Sequence, residues 1–262
     1  MAEKRELMDR RHFLYKSAYF FAGSLLGLNS FSKARASDRS FFQPRIAIII
    51  DDIGFSRSRV RRFLELGVPI TFAVLPRLTK SSLLAEEINV QGHELMLHQP
   101  MEPYASVLDP GPGAIYVGDG VKRIANTINK NMSSVPCITG VNNHMGSRFT
   151  ACQRDMSAAL QVIKQKGLFF IDSVTSSRST AYQTAKTLKV STAFRNVFLD
   201  NRREEPAILS QLHKLKKHAM KYGHAIGIGH PYPETARAIG YFTRDISGSR
   251  ASLVHVSSLT PA

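Results

Sequence analysis

The stretch RIAIIIDDIGF, Arg45–Phe55, decides the fold. The four isoleucines before Asp51, interrupted only by Ala47, predict a strand buried on both faces. Branched side chains pack well on a pleated sheet, and no polar residue alternates with them. Asp51 and Asp52 follow at once. The sequence therefore predicts two adjacent carboxylates at the carboxyl end of a buried strand.

Strand and helix patterns alternate through the rest of the chain. VPITFAVLP predicts a strand, TKSSLLAEEINVQG a helix and HELMLHQP the next strand, and the alternation continues to ASLVHVS. Residues 190–200, VSTAFRNVFLD, are predicted to form a single strand. This alternation indicates a parallel α/β sheet, and roughly seven or eight such units in one domain favour a barrel of about seven parallel strands.

The first 36 residues differ from this domain. A charged segment with Arg10 and Arg11 precedes a short apolar stretch, and KARAS supplies the small residues of a cleavage site after Ala36. The pattern closely resembles a twin-arginine export signal, and an uncleaved amino-terminal anchor is the alternative. We therefore predict a signal peptide at 1–36, a short linker at 37–44, a working domain at 45–262 and a periplasmic location.

The chain is strongly basic, with 35 Lys and Arg against 20 Asp and Glu and a net charge of +15. That surplus favours anionic partners and association with the cell envelope. Nucleic acid is not an expected partner, because no nucleic-acid motif accompanies the basic clusters and aromatic residues are not interleaved with them. Each basic cluster is better explained as a solvated helix face.

The chain has two cysteines, Cys137 and Cys152. An exported protein can keep a disulfide, which would stiffen the segment between them. Two buried thiols are the alternative, and sequence spacing does not decide between the two, because a disulfide also requires the Cα atoms to lie close together.

Polar residues occur where the predicted strands end. The carboxyl ends of parallel barrel strands meet at one rim, so these side chains are expected to converge there. The two adjacent asparagines either orient other side chains or serve turn chemistry. The residues of the predicted rim are Asp51, Asp52, His98, Asn142, Asn143, His144, Asp172, Ser173 and His230.

The composition of this rim indicates a metal centre. An aspartate with two or three histidines from different strands is a ligand set for a catalytic divalent cation, Zn²⁺ first, and a second carboxylate can accept a proton from water. Neighbouring side chains on a regular strand point to opposite faces, so Asp51 and Asp52 both face the site only if the backbone turns. Gly54 favours such a turn. In the structural alternative, one acid caps the next helix and the other pairs with an arginine.

Five motifs in this order resemble the divergent polysaccharide deacetylase family: IAIIIDDIGF, GHELMLHQPMEP, GVNNHMGSRFT, FFIDSVTSSRS and GIGHPYPET. The family is a branch of the NodB-type carbohydrate esterase superfamily, whose fold is a distorted (β/α) barrel. The resemblance covers essentially all of residues 45–258. It implies a hydrolase that removes acetyl groups from an amino-sugar polymer or oligomer.

The resemblance also implies roles for the early motifs. Asp51 would be the general base, and Asp52 and His98 would bind the metal. The superfamily pattern expects a second histidine four residues after His98, but Glu102 stands there. Either Glu102 or His144 supplies the third ligand, and His144 is preferred because zinc sites favour nitrogen.

The later motifs imply the remaining roles. His230 matches a Leu-x-His motif, with Ile228 in place of leucine, and would be the general acid. Asp172 takes the place of an acid that orients this histidine or binds substrate, and Arg148 and Asn143 are candidate substrate contacts. The superfamily's Arg-x-Pro-Tyr segment is absent from the sequence, so the resemblance assigns no oxyanion contact.

The expected function is that of a periplasmic, zinc-dependent hydrolase acting on an acetylated glycan. Its rival is a catalytically degenerate protein that binds carbohydrate or serves the cell envelope on the same barrel. The missing histidine and arginine motif favour the rival, whereas the presence of Asp51 and His230 favours the enzyme.

Overall fold

The computed structural model describes residues 43–260. The predicted signal peptide at 1–36, and the predicted linker up to residue 42, lie outside the described residues. Within residues 43–260, no helix is long and apolar enough to cross a membrane.

The strands form one sheet in which neighbouring strands are parallel. Their order is β6-β5-β4-β3-β2-β1-β8-β7, with β9 beside the start of β1. The sheet curls into a half-barrel, which confirms the predicted α/β class. The strands are β1 (Arg45–Ile53), β2 (Thr71–Val74), β3 (Glu94–Met101), β4 (Gly140–Met145), β5 (Phe169–Asp172), β6 (Thr192–Phe194), β7 (Val197–Phe198), β8 (His224–Gly229) and β9 (Ser252–Leu253).

Helices connect nearly all consecutive strands. The longest has Pro206 in its first turn and ends at Gly223, whose φ of 93° provides the left-handed cap typical of helix ends. Short 3₁₀ helices lie at Phe149–Ala151 and Val256–Leu259. The α-helices are α1 (Arg57–Leu64), α2 (Ser81–Val90), α3 (Val121–Met132), α4 (Gln153–Gln165), α5 (Ala181–Thr187), α6 (Glu205–Tyr222) and α7 (Pro233–Ile246).

Side chains alternate between two apolar cores along each strand. In β1, Ile46, Ile48 and Ile50 belong to the large core between the sheet and the helices. Ala47 and Ile49 belong to a smaller core inside the half-barrel. Because the period of a strand is two residues, the next inward position of β1 falls on an aspartate rather than on another apolar residue.

The single strand predicted at residues 190–200 is wrong. β6 and β7 lie at opposite edges of the sheet, and two residues carry the chain between them. The N–H of Arg195 donates to the carbonyl of Asp172 at 3.0 Å, and the N–H of Asn196 donates to the carbonyl of Ile226 at 2.9 Å. The chain therefore changes partners at this point, from β5 on one edge to β8 on the other.

Both cysteines are free. Cys137 is exposed in the turn before β4, and Cys152 is half-buried at the start of α4. The predicted alternatives, a disulfide and two buried thiols, are therefore both wrong. Both residues lie in connections outside the sheet, where apolar burial is less complete than in the strands.

Candidate metal centre and its surroundings

The end of β1 brings both acids to the rim. Asp51 continues the inward-facing row of the strand and is buried. The register with β2 then shifts between Ile50 and Ile53, and Asp52 adopts a left-handed φ of 57°. Gly54 follows with a φ of 141°. This bulge is the predicted turn, and it lets two successive side chains reach one site.

Three side chains meet in a triangle beside this bulge. Oδ1 of Asp52 lies 3.2 Å from Nε2 of His98 and 3.1 Å from Nδ1 of His144. The two imidazole nitrogens are 3.1 Å apart. Strands β1, β3 and β4 each contribute one corner, so His144 lies where the sequence favoured it as the third ligand.

The donor atoms of this triangle fit a tetrahedral zinc ion. Zinc bonds of about 2.0–2.1 Å place ligand atoms roughly 3.3 Å apart, close to the edges of the triangle. Within residues 43–260, the buried Oδ1 of Asp52 makes no hydrogen bond of acceptable geometry. A buried carboxylate oxygen in this state is costly, and a divalent cation would compensate it. Asp52, His98 and His144 could therefore hold a metal ion and leave a fourth position open.

Asn142 orients the first histidine. Its Oδ1 lies 2.8 Å from Nδ1 of His98, so it accepts the Nδ1–H and leaves Nε2 facing Asp52. Its Nδ2 donates to Oδ1 of Asp51 at 2.8 Å. Contacts of this kind fix the tautomer and direction of metal-binding histidines. One buried amide thus joins the predicted base to a predicted ligand.

His230 faces the same site from the end of β8. Its Nε2 lies 3.8 Å from Oδ2 of Asp52. Its Nδ1 lies 2.9 Å from Oδ1 of Asp200, whose Oδ2 accepts the backbone N–H of His230 at 2.6 Å and the Thr235 hydroxyl at 2.8 Å. Asp200 therefore holds Nδ1–H toward itself and Nε2 toward the site.

The pKa values of the site residues diverge. Burial alone would lower the pKa of His230, but the hydrogen bond and charge of Asp200, with the charges of Asp51 and Asp52, raise it to about 9. Burial raises the pKa of Asp51 despite the nearby imidazoles of His98 and His230. Burial also opposes ionisation of Asp52, yet the adjacent imidazoles of His144 and His98 lower its pKa well below the usual range. Two neighbouring carboxylates are thus tuned in opposite directions, as acid and base chemistry requires.

A pocket of about 260 Å³ opens beside these groups. Residues from both ends of the sheet line it, among them Asp51, His98, Asn143, His144, Ser173, Arg195, Phe198 and His230. A smaller pocket of about 160 Å³ adjoins Asp52 and His230 and includes Phe55, whose ring is 62% exposed. Most of the predicted rim residues, though neither Asn142 nor Asp172, therefore line accessible space.

Asp172 does not occupy the orienting position that the sequence assigned to it. Its Oδ1 accepts the N–H of Val174 at 2.9 Å, and its Oδ2 accepts the Ser179 hydroxyl at 2.8 Å and the N–H of Tyr182 at 3.2 Å. Alternation explains this, because Ile171 faces the interior of the half-barrel and its neighbour faces outward toward α5. Asp200, not Asp172, orients the histidine, and a substrate contact by Asp172 stays a prediction.

The two predicted substrate contacts have internal partners. Nη1 of Arg148 lies 2.8 Å from Oε1 of Glu102, and Oε2 of Glu102 accepts the N–H of Val117 at 2.8 Å. Glu102 therefore faces its own loop rather than the triangle. Oδ1 of Asn143 accepts the N–H of Ser173 at 2.9 Å, which ties β4 to the segment after β5. Substrate roles for Arg148 and Asn143 stay predictions.

Unusual backbone conformations cluster at the rim. Asp52, Met145 and Val174 have φ values of 57°, 52° and 49°, at or just after the ends of β1, β4 and β5. Positive φ is tolerated by aspartate but is an outlier for a β-branched valine. Such strain typically persists where the surrounding structure enforces it, and functional sites are the usual place.

Sequence reasoning overlooked two residues of the site: Asp200, which orients His230, and Arg195, which lines the pocket. Asp200 ends the segment VFLD just as Asp51 ends its strand, so the rule applied to the other strand ends would have found it. Arg195 carries no comparable signal, because it lies at the crossing between β6 and β7 that the sequence did not predict.

The curled parallel sheet, with polar residues converging at its carboxyl ends, defines an α/β half-barrel protein with a candidate metal centre. Residues 48–260 match the sequence profile of the family described as divergent polysaccharide deacetylase. The chain belongs to that family, as its five motifs implied.

Relatives and solved structures agree with this assignment. An uncharacterized protein of Haemophilus influenzae is 32% identical over 205 residues, which cover 78% of this chain and 73% of that protein. The crystal structure of uncharacterized protein ATU2773 from Agrobacterium tumefaciens C58 matches with a TM-score of 0.79 and 28% identity, covering 83% of this chain and 89% of that one.

A more distant match concerns the fold alone. The catalytic domain of a peptidoglycan N-acetylglucosamine deacetylase from Eubacterium rectale matches with a TM-score of 0.51 and 12% identity, over 83% of this chain and 91% of that domain. This likeness confirms the predicted NodB-like deacetylase fold.

Proposed function

We propose that this protein is a metal-dependent hydrolase that releases acetate from an acetylated amino-sugar glycan. One observation carries the proposal: a base and an acid flank the metal triangle. Oδ2 of Asp51 lies 3.7 Å from Nε2 of His98, and Nε2 of His230 lies 3.8 Å from Oδ2 of Asp52. Hydrolysis of an acetyl group needs both proton transfers at one place.

Asp52, His98 and His144 would hold the cation, and their oxygen and nitrogen donors make Zn²⁺ the first candidate. When bound, the cation would polarise the acetyl carbonyl and acidify water. Asp51 accepts the proton of the attacking water, a task that suits a carboxylate whose pKa burial raises. Asn142 holds that carboxylate in place throughout.

His230 completes the reaction. With a pKa of about 9 it is protonated at neutral pH, and Nε2–H points into the site. It donates this proton to the departing nitrogen or oxygen as the bond to the acetyl carbon breaks. The products are acetate and a free amine or hydroxyl on the sugar, and Asp200 stabilises the positive ring before the transfer.

Three features support a glycan as the substrate. The family is one of polysaccharide deacetylases. The pocket of about 260 Å³ shares His230 with a second pocket, which is lined in part by the exposed Phe55. An aromatic face beside polar groups suits the apolar face of a sugar ring.

The proposed site of action is the periplasm. The twin-arginine-like pattern of residues 1–36 supports export. The net charge of +15, which becomes +11 (28 Lys and Arg minus 17 Asp and Glu) once residues 1–36 are removed, supports association with an anionic cell envelope. Secretion of a fusion of residues 1–36 to a reporter, lost when Arg10 and Arg11 are both replaced by lysine, tests the export step.

Metal content and acetate release, measured on the same preparations, test the enzymatic proposal. Wild type is expected to hold close to one zinc per chain and to release acetate from N-acetylglucosamine oligomers or another acetylated glycan. Asp52→Ala and His144→Ala should lose both properties. Glu102→Gln is the matched control, because Glu102 binds its own loop, and it should keep the metal.

Loss of zinc in Glu102→Gln but not in His144→Ala would identify Glu102, rather than His144, as the third metal ligand. If the wild-type protein binds glycan and zinc but releases no acetate under any condition, the proposed hydrolase function is wrong. The protein would then be the carbohydrate-binding rival on the same half-barrel.

A further inference from the structure

The pocket has a wall opposite the metal triangle that the proposed mechanism does not use. We call it the Arg195 wall, and it consists of Ser173, Thr175, Arg195 and Phe198. These residues follow β5 and β6 or lie in β7, whereas the triangle comes from β1, β3 and β4. A substrate held by the triangle through one group would meet this wall with another.

The guanidinium of Arg195 is fixed in place. Nε donates to the carbonyl of Ser173 at 2.7 Å, and Nη2 donates to the carbonyl of Val174 at 2.8 Å. The ring of Phe198 lies under it, 5.1 Å from Cζ. Two hydrogen bonds and a ring contact hold a long side chain that would otherwise be mobile, so the cation is preorganised.

This cation lacks an anionic partner in the described part of the chain. No carboxylate there lies within 4.0 Å of its nitrogens, and Nη1 makes no hydrogen bond with any described residue. The Arg148 guanidinium, by contrast, is paired with Glu102 at 2.8 Å. A half-buried arginine with an unused donor edge is a receptor for a planar anion, because a carboxylate matches its fork.

Ser173 supplies an independent observation. It is 4% exposed, lines the same pocket, and its Oγ has no hydrogen-bond partner among residues 43–260. Its inward direction follows from alternation, two residues after the inward-facing Ile171. An unpaired buried hydroxyl costs free energy that an incoming hydrogen-bond acceptor would recover.

We propose that the Arg195 wall binds a carboxylate of the substrate, so that the enzyme acts on acidic N-acetylated sugars in preference to neutral ones. The inference rests on the proposed function and specifies its substrate class. Arg195 donates to the carboxylate through Nη1, and Ser173 adds the hydroxyl donor. The strongly basic chain attracts the same anionic glycans from a distance.

A purely internal role for Arg195 makes a different prediction. The negative charges of Asp51 and Asp172 act on Arg195 from beyond contact distance, so the guanidinium also balances the charge of the base. If balancing were its whole role, its loss would slow acidic and neutral substrates by the same factor. A larger effect on the acidic substrate than on the neutral one would therefore show that Arg195 recognises the carboxylate and does not only balance the charge of Asp51.

The test uses one sugar in two charge states: an oligosaccharide containing N-acetylmuramic acid and the methyl ester of the same compound. Wild type should show a kcat/KM about tenfold or more higher for the acid, mainly through KM. Arg195→Gln should abolish this preference, because kcat/KM falls about tenfold further for the acid than for the ester. Arg195→Lys should keep part of it, since the charge remains and the fork is lost.

Two further variants make the outcome decisive. Ser173→Ala removes a hydroxyl without a described partner, so it should fold normally and lower the preference for the acid severalfold. Arg178→Gln removes the same charge from an exposed arginine stacked on Tyr104, and should leave the preference intact. Equal kcat/KM values for acid and ester in wild type, or equal losses for both in Arg195→Gln, would overturn the inference.

Calorimetric titration separates this inference from the proposed function. If the zinc-loaded wild-type protein releases no acetate from either compound, the proposed hydrolase function is refuted. Tighter binding of the acid than of the ester, lost in Arg195→Gln, would still establish the carboxylate site. Equal binding of the two compounds would reject it.

Discussion

The two halves of the rim hold their polar side chains in different ways. In the metal half, at the ends of β1, β3 and β4, side chains contact each other: Asp51 binds Asn142, Asn142 binds His98, and His98 lies against His144 and Asp52. In the acid half, from β5 to β8, the key side chains are also anchored to the main chain. Asp200 accepts the N–H of the histidine it orients, and Arg195 donates to two carbonyls.

This difference sets how far the effect of a substitution spreads. A buried network of side chains is coupled, because each member satisfies the next and the loss of one leaves another unpaired. Side chains anchored to backbone groups depend on the fold rather than on each other. Substitutions in the metal half that leave a partner unpaired should therefore change several properties at once, whereas those that keep the hydrogen bonds, and those in the acid half, should change one.

Asp51→Asn should have the largest effect. The amide oxygen can still accept from Asn142, so the network and the metal stay, but the group can no longer accept a proton. We expect kcat to fall by about 10²–10⁴-fold with zinc content near wild type. Steady-state kinetics and elemental analysis of one preparation check this. Loss of the metal together with activity would mean that the base is inseparable from the ligand set.

Asp200→Asn should come next, with a loss of about a hundredfold in kcat at pH 8. A general acid works only while protonated, so the wild-type rate falls as pH rises through about 9, the pKa of His230. Without the charge of Asp200 that pKa falls toward its ordinary value near 6.5. The alkaline limb of the pH profile should therefore move to lower pH.

The matched control for this shift is Thr235→Val. It removes one hydrogen bond to Asp200 and keeps the carboxylate charge, so the limb should stay close to wild type. Zinc content should be unchanged in both variants, since the acid half is separate from the ligands. If the alkaline limb of the Asp200→Asn pH profile does not shift, a group other than His230 donates the proton.

Asn142→Ala should weaken zinc binding by about 10–100-fold, because His98 loses the group that fixes its tautomer. Competition with a calibrated chelator measures the affinity. Asn143→Ala is the neighbouring control, since Asn143 binds the N–H of Ser173 and should leave zinc affinity unchanged. Equal losses in both variants would show a general disturbance of β4 instead.

Asp172→Asn should have the smallest effect on catalysis. Its three hydrogen bonds hold the segment between β5 and α5 and the first turn of α5, so we expect a loss of about 1–3 kcal/mol in the free energy of unfolding. The kcat should stay within about twofold of wild type. Urea denaturation and steady-state kinetics check the two parts. A large loss of kcat in a stable variant would restore the predicted substrate contact.

Much of this arrangement follows from the period of a strand. Ala47 and Ile49 face inward, so Asp51 must too, and Ile171 facing inward sends Asp172 outward. Strand ends alone indicated which residues reach the rim. Strand ends combined with alternation would have separated Asp172 from Asp51, whereas Asp52 reaches the site only because the backbone bulges there.

Other features depend on tertiary contacts that no local pattern contains. The crossing at Arg195 and Asn196 exists because the two edges of the sheet lie close enough for two residues to connect them. The choice of His144 over Glu102 depends on how β4 lies beside β3, where Pro100 and His144 are paired. Motif spacing predicted the candidates, and only the packed sheet places one of them in the triangle.

The left-handed backbone of Asp52 has an evolutionary consequence. At a φ of 57° the residues that fit with least strain are glycine and asparagine, and each is one base change away from aspartate. Either change removes an anionic ligand while the fold stays intact. We expect Asp52→Asn to melt no lower than wild type in the presence of chelator, and a much lower melting temperature would refute this. A single nucleotide change could thus yield a relative that keeps the half-barrel and its pocket but lacks the anionic corner of the candidate metal centre.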